Sequence, residues 1–155
     1  YLALVGLLVA ALAAAALFVG SQNRLPEPFG LARNGVVVFP QDGDLFVADG
    51  LDGPTRTLIA GPETDSYPLF SRQGDRLAFI RDPGEGFQLL SVRPDGTDLK
   101  LVGSFPGDLD RLSWSPDGSA LLVNFTETGI TGFRVAVVQA DGSGSRELSL
   151  GRVAD

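Results

Sequence analysis

The chain has 155 residues, a net charge of −7, and neither cysteine nor histidine. Without thiols these residues hold no disulfide, thiolate metal site, cysteine nucleophile or lipidated cysteine anchor; without imidazoles they hold no Ser-His-Asp relay and no H-E-x-x-H zinc motif. The acidic balance argues against the basic stripe that nucleic acid or anionic lipid headgroups require, so no nucleic-acid partner is expected.

From the N-terminus, Tyr1 to Gly20 carries no charged side chain, and Leu2 to Val19 is Leu, Ala, Val and Phe broken only by Gly6. At about 1.5 Å per helical residue such a run matches a hydrocarbon core of roughly 30 Å, which predicts one transmembrane helix over 1–20. A cleavable signal peptide is the competing reading, encouraged by the weakly apolar Ala13 to Ala16. Its apolar region is normally about 7 to 15 residues, shorter than this run. The chain opens at Tyr1 without an initiator Met or basic flank, so an upstream portion is expected. Downstream, Arg24 and Arg33 are offset by Glu27 and do not pin that side to the cytoplasm; an extracytoplasmic C-terminal domain is expected. Residues 21–34 contain Pro26 and Pro28 and no apolar period, which suits a semi-extended linker.

From Gly35 the pattern changes to short β-rich runs punctuated by Gly, Asp and Pro. The runs are Val36 to Phe39, Leu45 to Ala48, Arg56 to Ile59, Leu77 to Ile80 and Phe87 to Leu90. Leu99 to Val102, Leu112 to Trp114, Leu121 to Phe125, Phe133 to Val138 and Glu147 to Leu150 follow. Runs this short, with turn signals every 8 to 12 residues or so, predict an all-β fold.

Internal repetition narrows the choice. When Asp65 to Phe79 is laid over Leu109 to Val123, Phe70 falls on Trp114, Ser71 on Ser115 and Gly74 on Gly118 at a spacing of 44. Asp52-Gly53, Asp95-Gly96 and Asp141-Gly142 recur at spacings of 43 and 46. A period in the low forties with about four strands per unit predicts β-propeller blades. Each unit then reads as an inner aromatic-Ser strand, a Gly-containing reversal, two apolar strands, an Asp-Gly turn and a more polar outer strand. The expectation is a partial β-propeller of about two and a half four-stranded antiparallel blades, at 35–64, 65–107 and 108–155, preceded by one transmembrane helix. Because propellers typically close with about 4 to 8 blades, further chain is expected after Asp155, with the first unit's inner strand supplied from the distal C-terminus.

Trp114-Ser115-Pro116-Asp117-Gly118, with Val138-Gln139-Ala140-Asp141-Gly142 and Arg146-Glu147-Leu148, resembles the WD-like repeat of TolB-type propeller proteins. The third unit carries the pattern most fully. The second has Arg72-Gln73 in place of Pro-Asp, and the first lacks the aromatic-Ser half. The resemblance runs from about Gly35 to Asp155 and implies a propeller; it also suggests an anti-sigma-like or kinase-like region upstream of Tyr1, with this chain as the outer part of a bitopic regulatory protein.

No catalytic, cofactor or metal residue is assigned. Asp42-Gly43-Asp44 has the residue types of a calcium loop, but also those of a hairpin turn, and the full calcium-loop frame with its distal Glu is missing. Asp49-Gly50-Leu51-Asp52-Gly53 is read in the same way. Ser71 and Ser115 lack a G-x-S-x-G elbow, and Trp114 is read as a blade-core residue. Asn124-Phe125-Thr126 fits a glycosylation acceptor but falls within an expected strand. Carboxylate pairs for glycoside hydrolysis are not excluded by residue type, although most acidic residues sit at recurrent turn positions. Three functions follow as expectations. The first is a noncatalytic extracytoplasmic sensor or interaction module, tethered by one helix, that binds a protein or small ligand on the propeller face. The second is the accessory propeller of a prolyl oligopeptidase-like hydrolase, and the third a TolB-like periplasmic scaffold.

Overall fold

The computed structural model describes residues 35–127 and 129–148. The membrane span expected over 1–20 and the linker over 21–34 lie outside them. Among the described residues no helix is long and apolar enough to cross a membrane.

The described residues form eleven strands in three antiparallel sheets. The first sheet has β1 (Val36–Gln41), β2 (Asp44–Asp49) and β3 (Thr55–Ile59) in the order β1-β2-β3. The second is β4 (Thr64–Phe70), β5 (Leu77–Asp82), β6 (Phe87–Val92) and β7 (Lys100–Phe105), the third β8 (Asp108–Trp114), β9 (Ala120–Thr126), β10 (Arg134–Gln139) and β11 (Ser145–Leu148). Both four-stranded sheets are simple meanders, β4-β5-β6-β7 and β8-β9-β10-β11. Every connection within a sheet is a short reversal built on Gly, Asp or Pro, so sequence neighbours become spatial neighbours.

Period-2 alternation decides how the sheets meet. On one face of the middle sheet, Leu77, Phe79, Leu90 and Val92 pack with Leu45 and Ile59 of the first sheet. On the other, Ala78, Ile80, Phe87 and Leu89 pack with Leu121, Val123, Phe125, Ala136 and Val138 of the third. Register supports this: Leu77 lies opposite Val92 and Phe79 opposite Leu90, while Ile80 lies opposite Leu89. A strand buried on both faces has no room for polar alternation, which is why β5 opens Leu-Ala-Phe-Ile.

The two interfaces have the same sense. Leu121 and Val123 of the third sheet face the second as Leu77 and Phe79 of the second face the first, at the 44-residue spacing. The outer strands repeat the contact. A Cβ placed on Gly96 would lie 3.4 Å from the Leu58 carbonyl oxygen, and one on Gly142 would lie 3.4 Å from that of Leu101. Thus the turn before each outer strand rests on the outer strand of the preceding sheet. Such head-to-tail stacking is heterologous rather than self-complementary.

Several strands differ from the apolar runs. β8 begins at Asp108, four residues before Leu112, because its charged residues Asp108, Asp110 and Arg111 are exposed and cost the strand no burial. β7 runs to Phe105 rather than ending at Val102, and β10 starts at Arg134, leaving the Phe133 side chain exposed before it. β11 covers Ser145 to Leu148; residues 149–150 of the expected run lie outside the described residues.

One substitution between the repeats is informative. Asp65 lies opposite Arg81 across β4 and β5, and their equivalents in the third sheet, Leu109 and Phe125, lie opposite each other across β8 and β9. Arg81 holds Asp65 with two bonds of 2.8 and 2.9 Å, and Asp65 is only 1% exposed. This hydrogen bond raises the Arg81 pKa above its ordinary value, against the opposing effect of burial. A buried ion pair pays a large desolvation cost, whereas removing one partner leaves an uncompensated charge. Arg81→Phe alone should therefore destabilise the fold by about 3–5 kcal/mol, while Asp65→Leu combined with Arg81→Phe, copying the third sheet, should lie within about 1 kcal/mol of the parent or above it. Urea denaturation of the two variants checks this; a double variant as unstable as the single one refutes the equivalence.

Candidate functional site

Each four-stranded sheet begins with an edge strand, β4 or β8, and both strands are interrupted by a bulge. The β4 register slips between Ser66 and Leu69, and the β8 register between Leu109 and Arg111. Each bulge inserts one residue relative to its partner strand, which bends the strand and re-aims side chains. At the first, Tyr67 adopts a φ of +52° and its side chain is 68% exposed. Left-handed backbone is unfavourable for a bulky aromatic residue, and strain of this kind costs on the order of 1–3 kcal/mol. At the second bulge, Asp110 and Arg111 are both exposed.

Tyr67, Pro68 and Leu69 from β4, with Leu109, Asp110, Arg111 and Leu112 from β8, line a recess of about 150 Å³ between the edge strands. Tyr67 and Leu109 also border a second recess of about 280 Å³, shared with Ile80, Asp82, Gly86, Phe87, Gly107 and Asp108. The surface is thus continuous from the bulges to the ends of the β5–β6 and β7–β8 connections. It combines a phenol, a guanidinium and carboxylates over an apolar floor, a mixture suited to recognition. Sequence patterning did not single out Tyr67, Asp110 or Arg111. Pro68 was a weak signal, because proline within a strand marks an edge or a bulge.

The residues weighed from the sequence lie elsewhere. Asp42 and Gly43, with φ of +52° and +89°, make the β1–β2 reversal, and the Asp44 carboxylate accepts the Gly61 N–H at 3.2 Å. Asp49 ends β2 and Gly50 to Gly53 lie in the β2–β3 connection, where a Cβ on Gly53 would lie 1.9 Å from the Asp49 carbonyl oxygen. Among the described residues no group of three Asp or Glu side chains is placed to hold a metal ion. Asn124 is half-buried in β9 between Arg111 and Val135. Trp114 packs against the core between the second and third sheets, and its Nε1–H donates to the Leu69 carbonyl at 2.9 Å, tying one edge strand to the next.

Ser71 and Ser115 play the same part in successive turns. The Gly74 N–H donates to the Ser71 carbonyl, and the Gly118 N–H to that of Ser115, each at 3.0 Å. Each serine Oγ also accepts from the backbone five residues on, Arg76 at 3.1 Å and Ala120 at 3.0 Å. A second turn type recurs in Asp95, which accepts the Thr97 N–H at 2.9 Å, and Asp141, which accepts the Ser143 N–H at 2.8 Å. These are Asx-type bonds that substitute for a backbone turn.

Hydrogen bonds to the ionised carboxylates lower their pKa values. Asp117 is lowered to about 2, first by the Ser115 hydroxyl and then by the Ser119 N–H. Asp95 and Asp141 are lowered by Thr97 and Ser143. A carboxylate whose pKa falls on folding contributes stability above its unfolded value, about 4, and loses it as pH drops through the folded value. The urea midpoint should therefore decline between pH 4 and pH 2, and this decline should be shallower in Asp117→Asn. Equal slopes for parent and variant would contradict the assignment.

No family model matches the chain. Over 78 residues, half of this chain and 11% of the relative, it is 31% identical to dipeptidyl-peptidase 5 of Porphyromonas endodontalis. Among solved structures it is similar to a protein assigned as TolB from Agrobacterium tumefaciens, with a TM-score of 0.58 and 18% identity over 72% of this chain and 43% of that one. TolB from Acinetobacter baumannii matches with a TM-score of 0.57 and 16% identity, over 74% of this chain and 30% of that one. An oligogalacturonate lyase in complex with manganese matches at 0.54 and 18%, over 68% and 30%. The chain thus spans about a tenth of the curated relative and less than half of each solved structure. At these identities the likeness concerns fold, and the three stacked antiparallel sheets are a β-propeller-like arrangement of the kind found in TolB and oligogalacturonate lyase.

Proposed function

We propose that this chain is the membrane-tethered, extracytoplasmic propeller portion of a noncatalytic binding or sensor protein, and that it recognises a protein or small ligand along the exposed edge strands. The observation that carries this reading is Tyr67, a solvent-exposed aromatic held in left-handed backbone at a bulge beside Arg111. Strain retained where no packing rewards it is a cost that selection tolerates for function. The TolB neighbours support a propeller module, and the recurring serine and aspartate turns support a TolB-type, WD-like repeat. Residues 1–20 would supply the tether, through the apolar run described above.

A second reading is the accessory propeller of a peptidase, favoured by the match to dipeptidyl-peptidase 5. In it the same edge strands would guide a peptide toward catalytic residues outside this chain. The two readings diverge in whether the full protein releases dipeptides from peptide substrates.

Both predict that a partner touches the bulges. A photoreactive benzoylphenylalanine placed at Tyr67 in the full protein, irradiated in its native membranes, should give a discrete adduct. The same group at Leu51, 83% exposed on the β2–β3 connection, should give none. Adducts at position 51 alone, or at neither position, would contradict the assignment of the edge strands as the binding surface.

A further inference from the structure

The larger groove beside the edge strands has a chemistry of its own. It measures about 540 Å³ and is lined by Glu85, Gly86 and Phe87 on one side and by Phe105 and Gly107 on the other. Its floor is the stacked pair Phe87 and Phe105, with ring centroids 5.2 Å apart. Its wall is backbone in tight contact: a Cβ on Gly86 would lie 2.3 Å from the Phe105 carbonyl oxygen, and one on Gly107 would lie 1.9 Å from that of Thr126. Both glycines have positive φ, so the wall is fixed by conformations that other residues resist. A preformed groove orders little on binding.

Charge identifies the occupant. The groove opens at the end of the sheets that carries the β1–β2, β3–β4, β5–β6, β7–β8 and β9–β10 connections. Asp42, Glu63, Asp82, Glu85 and Asp108 lie there exposed, and among the described residues none of them forms an ion pair. Of the guanidiniums near this end, Arg81 is committed to Asp65 and Arg134 to Glu127 and Glu147, while Arg111 stands exposed farther along β8, at its bulge. The two committed guanidiniums also lie over phenyl rings, Arg81 over Phe79 at 5.9 Å and Arg134 over Phe125 at 5.3 Å. The half-buried Phe105 ring has no such cation among the described residues, and Glu85 lines the same groove from the side of the β5–β6 connection. An aromatic face beside an unpaired carboxylate matches a guanidinium, by cation–π attraction and charge-assisted hydrogen bonding together.

We infer that this groove binds an extended cationic peptide segment of a partner protein, with an arginine stacked on Phe105 against Glu85 and an adjacent apolar residue against Phe87. The inference rests on the binding-module reading and names the partner's chemistry. Rim carboxylates act over roughly a Debye length of 8–10 Å at physiological salt, so the interaction is salt-sensitive.

Fluorescence anisotropy of the full protein tests this with dye-labelled Gly-Leu-Arg-Leu-Arg-Gly and the same peptide carrying citrulline for arginine. Saturable binding is expected for the arginine peptide, at least tenfold weaker for the citrulline peptide and for the Glu85→Gln, Asp108→Asn double variant, and weaker again on raising salt from 50 to 300 mM. Equal affinity for both peptides, or no effect of the double variant, overturns it. Failure of the arginine peptide to bind, while position 67 still gives its adduct, overturns the cationic specificity and leaves the binding-module reading standing. Saturable, citrulline-sensitive binding without that adduct upholds the groove and moves the binding surface away from the bulges.

Discussion

The middle sheet is apolar on both faces, and the rest of the structure follows from that. Leu77 and Phe79 belong to one interface, Ala78 and Ile80 to the other, so four consecutive residues of β5 are committed to two separate cores. Burial of this kind contributes about 25 cal/mol for each Å² of apolar surface removed from water, and a large side chain such as Phe79 contributes several kcal/mol. A sheet with two apolar faces is not stable alone. It needs a neighbour on each side, and the neighbours here are copies of its own architecture. Head-to-tail repetition is the simplest way to satisfy every sheet with one kind of contact.

Stacking also separates the work of the molecule into zones. The central strands β5, β6, β9 and β10 supply the core, while the outer strand β11 is short and polar, as suits an edge that must not pair with strangers. The edge strands β4 and β8 bury less: Thr64 and Tyr67 are exposed on β4, and Asp108, Asp110, Arg111 and Ser113 on β8. Trp114 shows the division: its ring packs inward and its indole N–H reaches the neighbouring edge strand. Freed from the burial requirement at these positions, the two strands hold bulges, charged residues and a tyrosine in strained backbone, which is where recognition chemistry can gather at least cost to the fold.

Much of the architecture was legible because it is periodic. The spacing of 44 between Phe70 and Trp114 corresponds to equivalent ends of β4 and β8, and the Ser71 and Ser115 turns that follow share their hydrogen bonds. The candidate site was far less legible, for the opposite reason. Bulges shift register locally, so Tyr67 and Arg111 fall out of the alternation that marks the other strands. Asp65 was hidden differently: as a charged residue beside a turn-rich stretch it reads as solvent-facing, and only the cross-strand position of Arg81 explains its burial. The start of β8 was masked by three charged residues that an edge strand accommodates and a central strand does not.

The contact between the first and second sheets recurs between the second and third. Because the chain has no native cysteine, engineered pairs report on it cleanly. Dibromobimane becomes fluorescent on bridging two nearby thiols, and it should label Leu58→Cys paired with Gly96→Cys and Leu101→Cys paired with Gly142→Cys to similar extents. The mixed pair, Leu58→Cys with Gly142→Cys, should stay dark. Bridging in only one of the matched pairs, or in the mixed pair, would contradict a repeated head-to-tail stack.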